Sequence, residues 1–393
     1  EIDATGYEFL DVVHPPLNLD WLAKLPEMSG PHFAAIKAKE SNVVGLGFSL
    51  VDSPKTKMKM DEIDDPDQLS KFRKKLARAR QKLQDHLDET NDDDSLIDTL
   101  TRVFFDFEAV GVGYLEIGRN TNGQIGYIGH IPATTIRVRA KRDGYVQMVS
   151  NKAIFFRNFG EDTPNPLGGD ASPNELIMFK KYSPSNSFYG VPDIVAATAA
   201  IAGNEFAARF NIDYFDNKAV PRHIIVLKGA KLGSGAEQRL AEFFETSMRG
   251  VNHRSLYIPL PGDTATEKVS LEVKPVEAGR QDQSFDRYRE ANNKEILFTH
   301  RVPPNKIGLI EGSSVATALD ASKTFKEEVC QPIQRMFAKK INKVIKEFTD
   351  AFVFEFNELT LTDEETQARI DNIYLTTKVV VPNEVRARKG WAG

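Results

Sequence analysis

The chain has 393 residues, 41% hydrophobic and 27% charged, enough for two or three domains or one elongated subunit of several parts. A net charge of −5 with pI near 5.9 argues against tight, sequence-independent wrapping of nucleic acid, though not against a wall along which DNA slides, since mild acidity repels phosphates and prevents sticking. No apolar run approaches the roughly 18 residues that span a bilayer, and the single cysteine, Cys330, excludes an intrachain disulfide and fits a reducing intracellular assembly site.

Glu1 in place of Met leads to the expectation of a trimmed start, and the stretch to Pro31, with Pro15, Pro16 and Pro26, reads as an extended arm. His32 to Leu50 reads as a helix fading into a strand, and Met58 to Pro66 as an acidic loop. Asp67 is then placed as the cap of a helix whose face carries Leu76, Leu83 and Leu87. Around that face lie Arg73, Lys74, Lys75, Arg78, Arg80 and Lys82, for which a solvated surface is the plain reading and a DNA contact the sharper one. Asp92 to Ser95 caps a second helix, Leu96 to Val110. Alternating residues on either side of Asn122-Gly123 predict a hairpin, and strands come next at Arg137–Arg139, Tyr145–Val149 and Ala153–Phe156.

Pro192-Asp193 opens a long helix to Asn217 rich in Ala196, Ala197, Ala199, Ala200, Ala202 and Gly203; such small residues allow a close helix neighbour or simply burial. A strand–helix–strand insert comes after it: Ile224–Leu227, a loop Gly229–Gly235, Ala236–Met248 and Ser255–Ile258, with a further strand Val269–Lys274. Helix Asp282–His300 is stopped before Val302-Pro303-Pro304. A Gly/Ser-containing loop, Asn305 to Ser314, leads to a long helix, Thr317–Phe348, which Pro332 should kink. From Ala321 onward that helix has seven basic residues against three acidic, a pattern suited more to ion pairs with a neighbouring subunit than to DNA. Strand Phe352–Phe356, a helix from Asp363 to Thr377 and a last helix after Pro382 close the chain; its end at Gly393 suggests a missing C-terminal part.

No pattern carries chemistry. Gly111-Val112-Gly113 to Gly118 has its third glycine five residues after the second, and it follows a helix and opens a strand, the reverse of a dinucleotide loop. The loop Gly229–Gly235 lacks the Gly-Lys-Ser/Thr ending of a phosphate loop. The carboxylates Asp61, Glu62, Asp64, Asp65 and Asp67 miss calcium-loop spacing, and no histidine pairs with Cys330 at ligand spacing. No cofactor, metal or catalytic residue is therefore assigned.

Three short segments in a fixed order carry a resemblance. Tyr182-Ser-Pro-Ser-Asn-Ser-Phe-Tyr189-Gly190-Val191-Pro192-Asp193, then Arg301-Val-Pro-Pro-Asn-Lys-Ile-Gly308, then Pro382-Asn-Glu-Val-Arg386 resemble elements of portal proteins of long-tailed, siphovirus-like bacteriophages. The resemblance covers about the last 210 residues, and the chain departs from it at Lys378–Val381, where a threonine-rich lead-in is usual. It implies an α+β fold: an elongated multi-domain portal-type subunit with wing, long stem helices, small α/β clip insert and partial helical crown. The implied parts are arm and wing 1–190, first stem helix 191–219, clip 220–279, second stem helix 280–301, tunnel loop 302–316, long helix and return strand 317–362, and crown 363–393.

The function implied is a homo-oligomeric ring, typically of twelve, at one capsid vertex of the virion, assembled in the host bacterial cytoplasm. Double-stranded DNA passes through it without sequence specificity. Its partners would be the packaging ATPase (large terminase), the capsid or scaffold protein and the head–tail connector, with no membrane. Carried over by position, Asn305, Lys306, Ile307, Gly308, Leu309, Ile310, Ser313 and Ser314 form the loop against DNA, and Lys228, Lys231, Arg239, Arg249 and Arg254 dock the ATPase or adaptor. Lys306 could touch phosphates or pair with Glu311 of a neighbouring subunit. The rivals are a metal-dependent nuclease or nucleotidyltransferase, which would need acidic strand ends that Ile224–Leu227 lacks, and another phage ring or shell protein, which would lack a helix pair bracketing a small insert.

Overall fold

Local capping signals decide where most helices begin. In the computed structural model, which describes residues 10–149, 152–168, 172–217, 223–228, 255–260, 270–275, 282–309, 315–359 and 371–388, the Asn18 side chain accepts from the Trp21 N–H and opens helix α1 (Leu19–Met28). The extended arm expected here is thus partly helical: Leu19, Leu22 and Leu25 recur at helical spacing and are buried, and Pro26 is tolerated in the last turn. Helix α2 (Gly30–Val43) and strand β1 (Phe48–Asp52) come next, as the helix-then-strand pattern requires.

The expected acidic loop is shorter than its composition suggested. Ser53 caps α3 (Pro54–Asp61) with a proline in the first turn, leaving only residues 62–65 as connection. The cap of α4 (Pro66–Asp88) is Asp65, two residues before Asp67, because Pro66 takes the first helical position and the Asp65 carboxylate accepts from the Asp67 N–H. A reciprocal Ser95/Asp98 capping box starts α5 (Leu96–Ala109).

Strands β2 (Val112–Arg119), β3 (Ile125–Ile131), β4 (Ile136–Val138), β5 (Gly144–Val149), β6 (Lys152–Asn158) and β7 (Glu175–Lys180) form one sheet in the order β3-β2-β7-β6-β5-β4. The hairpin at Asn122-Gly123 and the β4–β5 pair stand as the sequence predicts. The sequence pattern had no place for β7, yet β7 is central, antiparallel to β2 and parallel to β6, with Leu176, Ile177 and Phe179 buried. On this sheet packs α5, and Phe179 stacks on Phe337 at 4.2 Å between centroids while Phe107 meets Phe337 edge-on at 5.3 Å.

The chain divides into two units, Glu1–Asp193 with His300–Gly393, and Ile194–Thr299. Where the chain enters the second, a 3-10 turn (Asp193–Ala197) leads into α6 (Thr198–Asn217), so the α-helix starts later than Pro192-Asp193 suggested. Strands β8 (His223–Lys228), β9 (Ser255–Leu260) and β10 (Ser270–Pro275) make a separate sheet, β10-β8-β9, with β8 and β9 parallel. The helix expected at 236–248 and the loop 229–235 lie outside the described residues. Helix α7 (Asp282–His300) pairs with α6 through Asn204 and its partners Asn292 and Asn293. At Gly203 an added Cβ would stand 2.3 Å from the Tyr288 hydroxyl, so the small-residue stripe does serve a close helix neighbour there.

Back in the first unit, the expected long helix is α8 (Val315–Phe325), a π turn (Lys326–Cys330) and α9 (Gln331–Phe348). The π turn stands just before Pro332: Gln331 N–H reaches back to Lys326 O, and the wider turn accommodates a ring that an unbroken helix would drive into a carbonyl. Strand β11 (Phe352–Phe356) pairs antiparallel with β1, Leu50 facing Phe354. Residues 371–376 are helical, and α10 (Pro382–Arg388) comes after them. No described helix is long and apolar enough to cross a membrane.

Candidate functional site

Each of the three resemblance segments performs a specific backbone task. In the first, Asn186 Oδ1 accepts from the N–H groups of Phe188 and Tyr189, turning the chain. Tyr189 is fully buried; its hydroxyl donates to Val13 O at 2.7 Å and accepts from Val138 N–H at 2.9 Å. Gly190 then crosses so close to Gly111 that an added Cβ would lie 2.1 Å from Gly111 O. Gly111, which the sequence offered only as part of a failed dinucleotide loop, has φ +90° and accepts at its carbonyl from Lys181 N–H.

In the second segment the helix ends at His300 and Arg301, two residues before the first proline, adopts a left-handed φ of 55°. Val302 is buried, Pro303 leads into a 3-10 turn (Pro304–Ile307), and Gly308, at φ 82°, closes it by donating to Pro304 O. Asn305 donates to Ala318 O and Ser322 Oγ, tying this turn to α8. Lys306 and Ile307 are half-buried, Gly308 is exposed, and Leu309 is 49% exposed. Ile310, Glu311, Ser313 and Ser314 lie outside the described residues. In the third segment Pro382 occupies the first turn of α10 and the Glu384 carboxylate accepts from Val381 N–H, a capping contact.

Lys228 ends β8; Lys231, Arg239, Arg249 and Arg254 lie outside the described residues. On the π turn and α9 several charges are taken up within the chain: Lys326 pairs with Glu358, Glu347 with Arg119, and Lys340 donates to Met178 O over the Phe179 ring. Burial lowers the Lys340 ammonium to about 8.

What the sequence did not reveal is a buried charge cluster in the first unit. Lys39 of α2 reaches Glu108 of α5 at 2.9 Å and Asp193 at 3.3 Å. Lys181, just after β7, reaches the same two carboxylates at 2.9 and 2.7 Å. His32 Nδ1 and His300 Nε2 share a proton at 2.8 Å, and the other His300 nitrogen lies 3.7 Å from Glu108. Lys39, Glu108, His32 and His300 are essentially inaccessible. Burial alone would push the Glu108 carboxyl up, but the Lys181 and Lys39 ammoniums outweigh it and hold the group well below its usual range. The same balance keeps Lys181 raised and Asp193 lowered. Burial, then its His300 neighbour, brings His32 down to about 3, and burial lowers His300 as well. Both imidazoles are neutral at pH 7, so two cations balance two anions.

Glu108, Asp193 and His300 bring three ligand-type atoms within 4.8 Å of one another, the only such group among the described residues. Two lysine ammoniums already neutralise those carboxylates, so the set is built as an ion-pair lattice and does not suit a metal ion. Its two outer members have a topological place: Asp193 and His300 are the last and first residues of the first unit where the chain leaves it and returns. Buried Cys330, pushed by burial to about 12, is not a nucleophile at neutral pH.

A family model described as phage portal protein matches residues 68–390. The phage-like element PBSX protein XkdE of Bacillus subtilis (strain 168) is 26% identical, the alignment covering 97% of this chain and 84% of that protein. A probable portal protein of Haemophilus phage HP1 is 25% identical over 59% of this chain and 64% of its own length. A chain from the neck of a native gene transfer agent particle, computed with C12 symmetry, superposes with TM-score 0.65 over 99% of both chains at 17% identity.

Proposed function

The chain belongs to the phage portal protein family, and from that premise we propose that it is the structural ring subunit through which double-stranded DNA passes at a capsid vertex. The family match over residues 68–390 carries this reading. The C12 neck supports a ring of twelve. In this reading residues 191–219 and 280–301 are stem helices, 220–279 the clip, 302–316 the tunnel loop and 363–393 part of a crown. The clip, through Lys228, Lys231, Arg239, Arg249 and Arg254, docks the large terminase during packaging and the head–tail connector afterwards; the capsid or scaffold protein is a further partner. Assembly takes place in the host cytoplasm and the product resides in the virion. The subunit has no catalytic activity of its own, a reading supported by the neutralisation of the buried carboxylates by lysine.

The turn Pro304–Ile307 holds the base of the tunnel loop by Asn305, and Gly308 takes the left-handed conformation that closes it without steric cost. An apolar tip makes no ion pairs with phosphates, so DNA contact is weak and sequence-independent. Replacing Leu309 and Ile310 with glycine is expected to leave rings with a central hole visible by negative-stain microscopy while lowering the yield of DNA-filled heads. Full heads at normal yield would refute the loop assignment, and an absence of rings from the unaltered protein would refute the portal reading itself.

A further inference from the structure

The fully buried residues of helix α4 lie near its C-terminal end. Leu83 and Leu87 are its buried residues, and nearby Arg80 pairs with Asp52 and covers the Phe352 ring while His86 meets Phe348. Between Leu69 and Lys82 the helix has seven basic residues and no acidic one, in a chain of net charge −5. Lys71, Lys74, Lys75, Arg78 and Lys82 fall at i, i+3, i+4, i+7 and i+11, so they share one face, turned away from Leu76, Leu83 and Leu87. All five are exposed, and none has a hydrogen bond or ion pair among the described residues. Like charges at i and i+4 repel, so the stripe weakens its own helix and gains nothing in return inside the subunit.

We propose that this stripe is a sequence-independent docking face for the phosphate backbone of duplex DNA, distinct from the tunnel loop. The proposal rests on the portal reading only for the presence of DNA beside the molecule. The five cations extend over about 16 Å of helix, against a duplex that offers a phosphate charge every ~1.7 Å of its axis. The stripe includes no aromatic or large aliphatic residue; a protein partner needs such anchors at the centre of an interface, whereas phosphate contact needs only cations. A second copy of this chain is a poorer occupant as well. The acidic run next to the stripe in sequence, Asp61 to Asp67, adjoins the same end of α4, and a head-to-tail ring requires complementary patches on opposite sides of a subunit.

The test is fluorescence anisotropy of the full-length protein with a random-sequence duplex between 50 and 200 mM salt. Five phosphate contacts predict a loss of affinity of about 500-fold across that range. The triple variant Lys71→Gln, Lys75→Gln, Arg78→Gln is expected to bind more weakly and to lose only about 10-fold. Replacing Lys71, Lys74 and Lys75 by arginine should keep the steep dependence. Unaltered affinity and slope in the triple variant would overturn the proposal, as would stripe-dependent binding of polyglutamate with none of the duplex. Ring formation, scored separately by microscopy, reports on the portal reading and should be the same in every variant.

Discussion

Lys39 and Glu108 are the residues whose placement owes least to local sequence. Each sits where its helix faces the interior, and each would be read from the sequence as a charge in need of solvent. Lys39 and Glu108 lie 69 residues apart, Lys39 and Asp193 154, and the two histidines 268, so no window of sequence contains the cluster. Removing one member of a buried ion pair strands the other, at a cost of about 3–5 kcal/mol. Glu108→Gln, which leaves Lys39 and Lys181 facing only the half-exposed Asp193, is expected to lose that much in urea denaturation, and Asp193→Asn clearly less. The neutral histidine pair adds a pH signature. Both imidazoles are held below their ordinary value, so below about pH 6.5 the unfolded chain binds more protons than the folded one, and stability falls as pH drops. The slope is at most about 1.4 kcal/mol per pH unit for each histidine, and the window from 6.5 to 5 lies above the range where carboxylates protonate. A His32→Gln variant should flatten the dependence in that window. An unchanged slope would mean that the pair is already protonated in the folded protein.

At the scale of elements, some helix starts were legible because capping is local: Ser95 caps α5 within the run Asp92–Ser95. The stop of α7 at His300 was legible too, from the prolines after it, but the crossings were not, since they depend on what the chain meets. Pro332 announced a break, but only packing decides that it becomes a π turn ending at Cys330. Strand β7 was missed because Glu175–Lys180 reads as an apolar run with no hairpin turn to frame it, and its central place comes from pairing with β2, more than 50 residues upstream. The family-like Tyr189-Gly190 pair is explained by such a crossing. The Tyr189 hydroxyl joins Val13 to Val138, and Gly190 passes Gly111 without room for a side chain. The clash partner is backbone on both sides, so neither can move aside cheaply. Gly190→Ala should therefore destabilise by about 2–3 kcal/mol or more, as overpacking of a dense interior does. Gly123→Ala is the comparison: nothing lies within 4 Å there, so only the left-handed φ of 76° is strained, about 1 kcal/mol. Equal midpoints for the two variants in thermal unfolding would show that the crossing relaxes.

On the scale of the whole molecule, the first unit is closed by residues from both ends of the chain. Strand β1 finds its partner β11 some 300 residues later, Phe48 stacking on Phe354 at 4.8 Å. Phe104, Phe107 and Phe179 surround Phe337, although the whole second unit lies between them in sequence. His300 meets His32, and Gln334 donates to Val43 O. The aromatic run Phe352–Phe356 was legible as a strand, but its partner was not, because pairing across such a distance leaves no mark on spacing. A core shared in this way does not need an unbroken chain once formed, because apolar burial and strand pairing hold its two halves independently of the connection. A protease site placed at Gly233-Ser234-Gly235 in the full-length protein, and cut after folding, is therefore expected to give two fragments that migrate as one species in native gel filtration. They should separate only in denaturant, at a midpoint close to that of the uncut chain's first unit. Separation of the fragments in native buffer would show that the covalent connection, and not the β1–β11 pair with its aromatic core, keeps the first unit together.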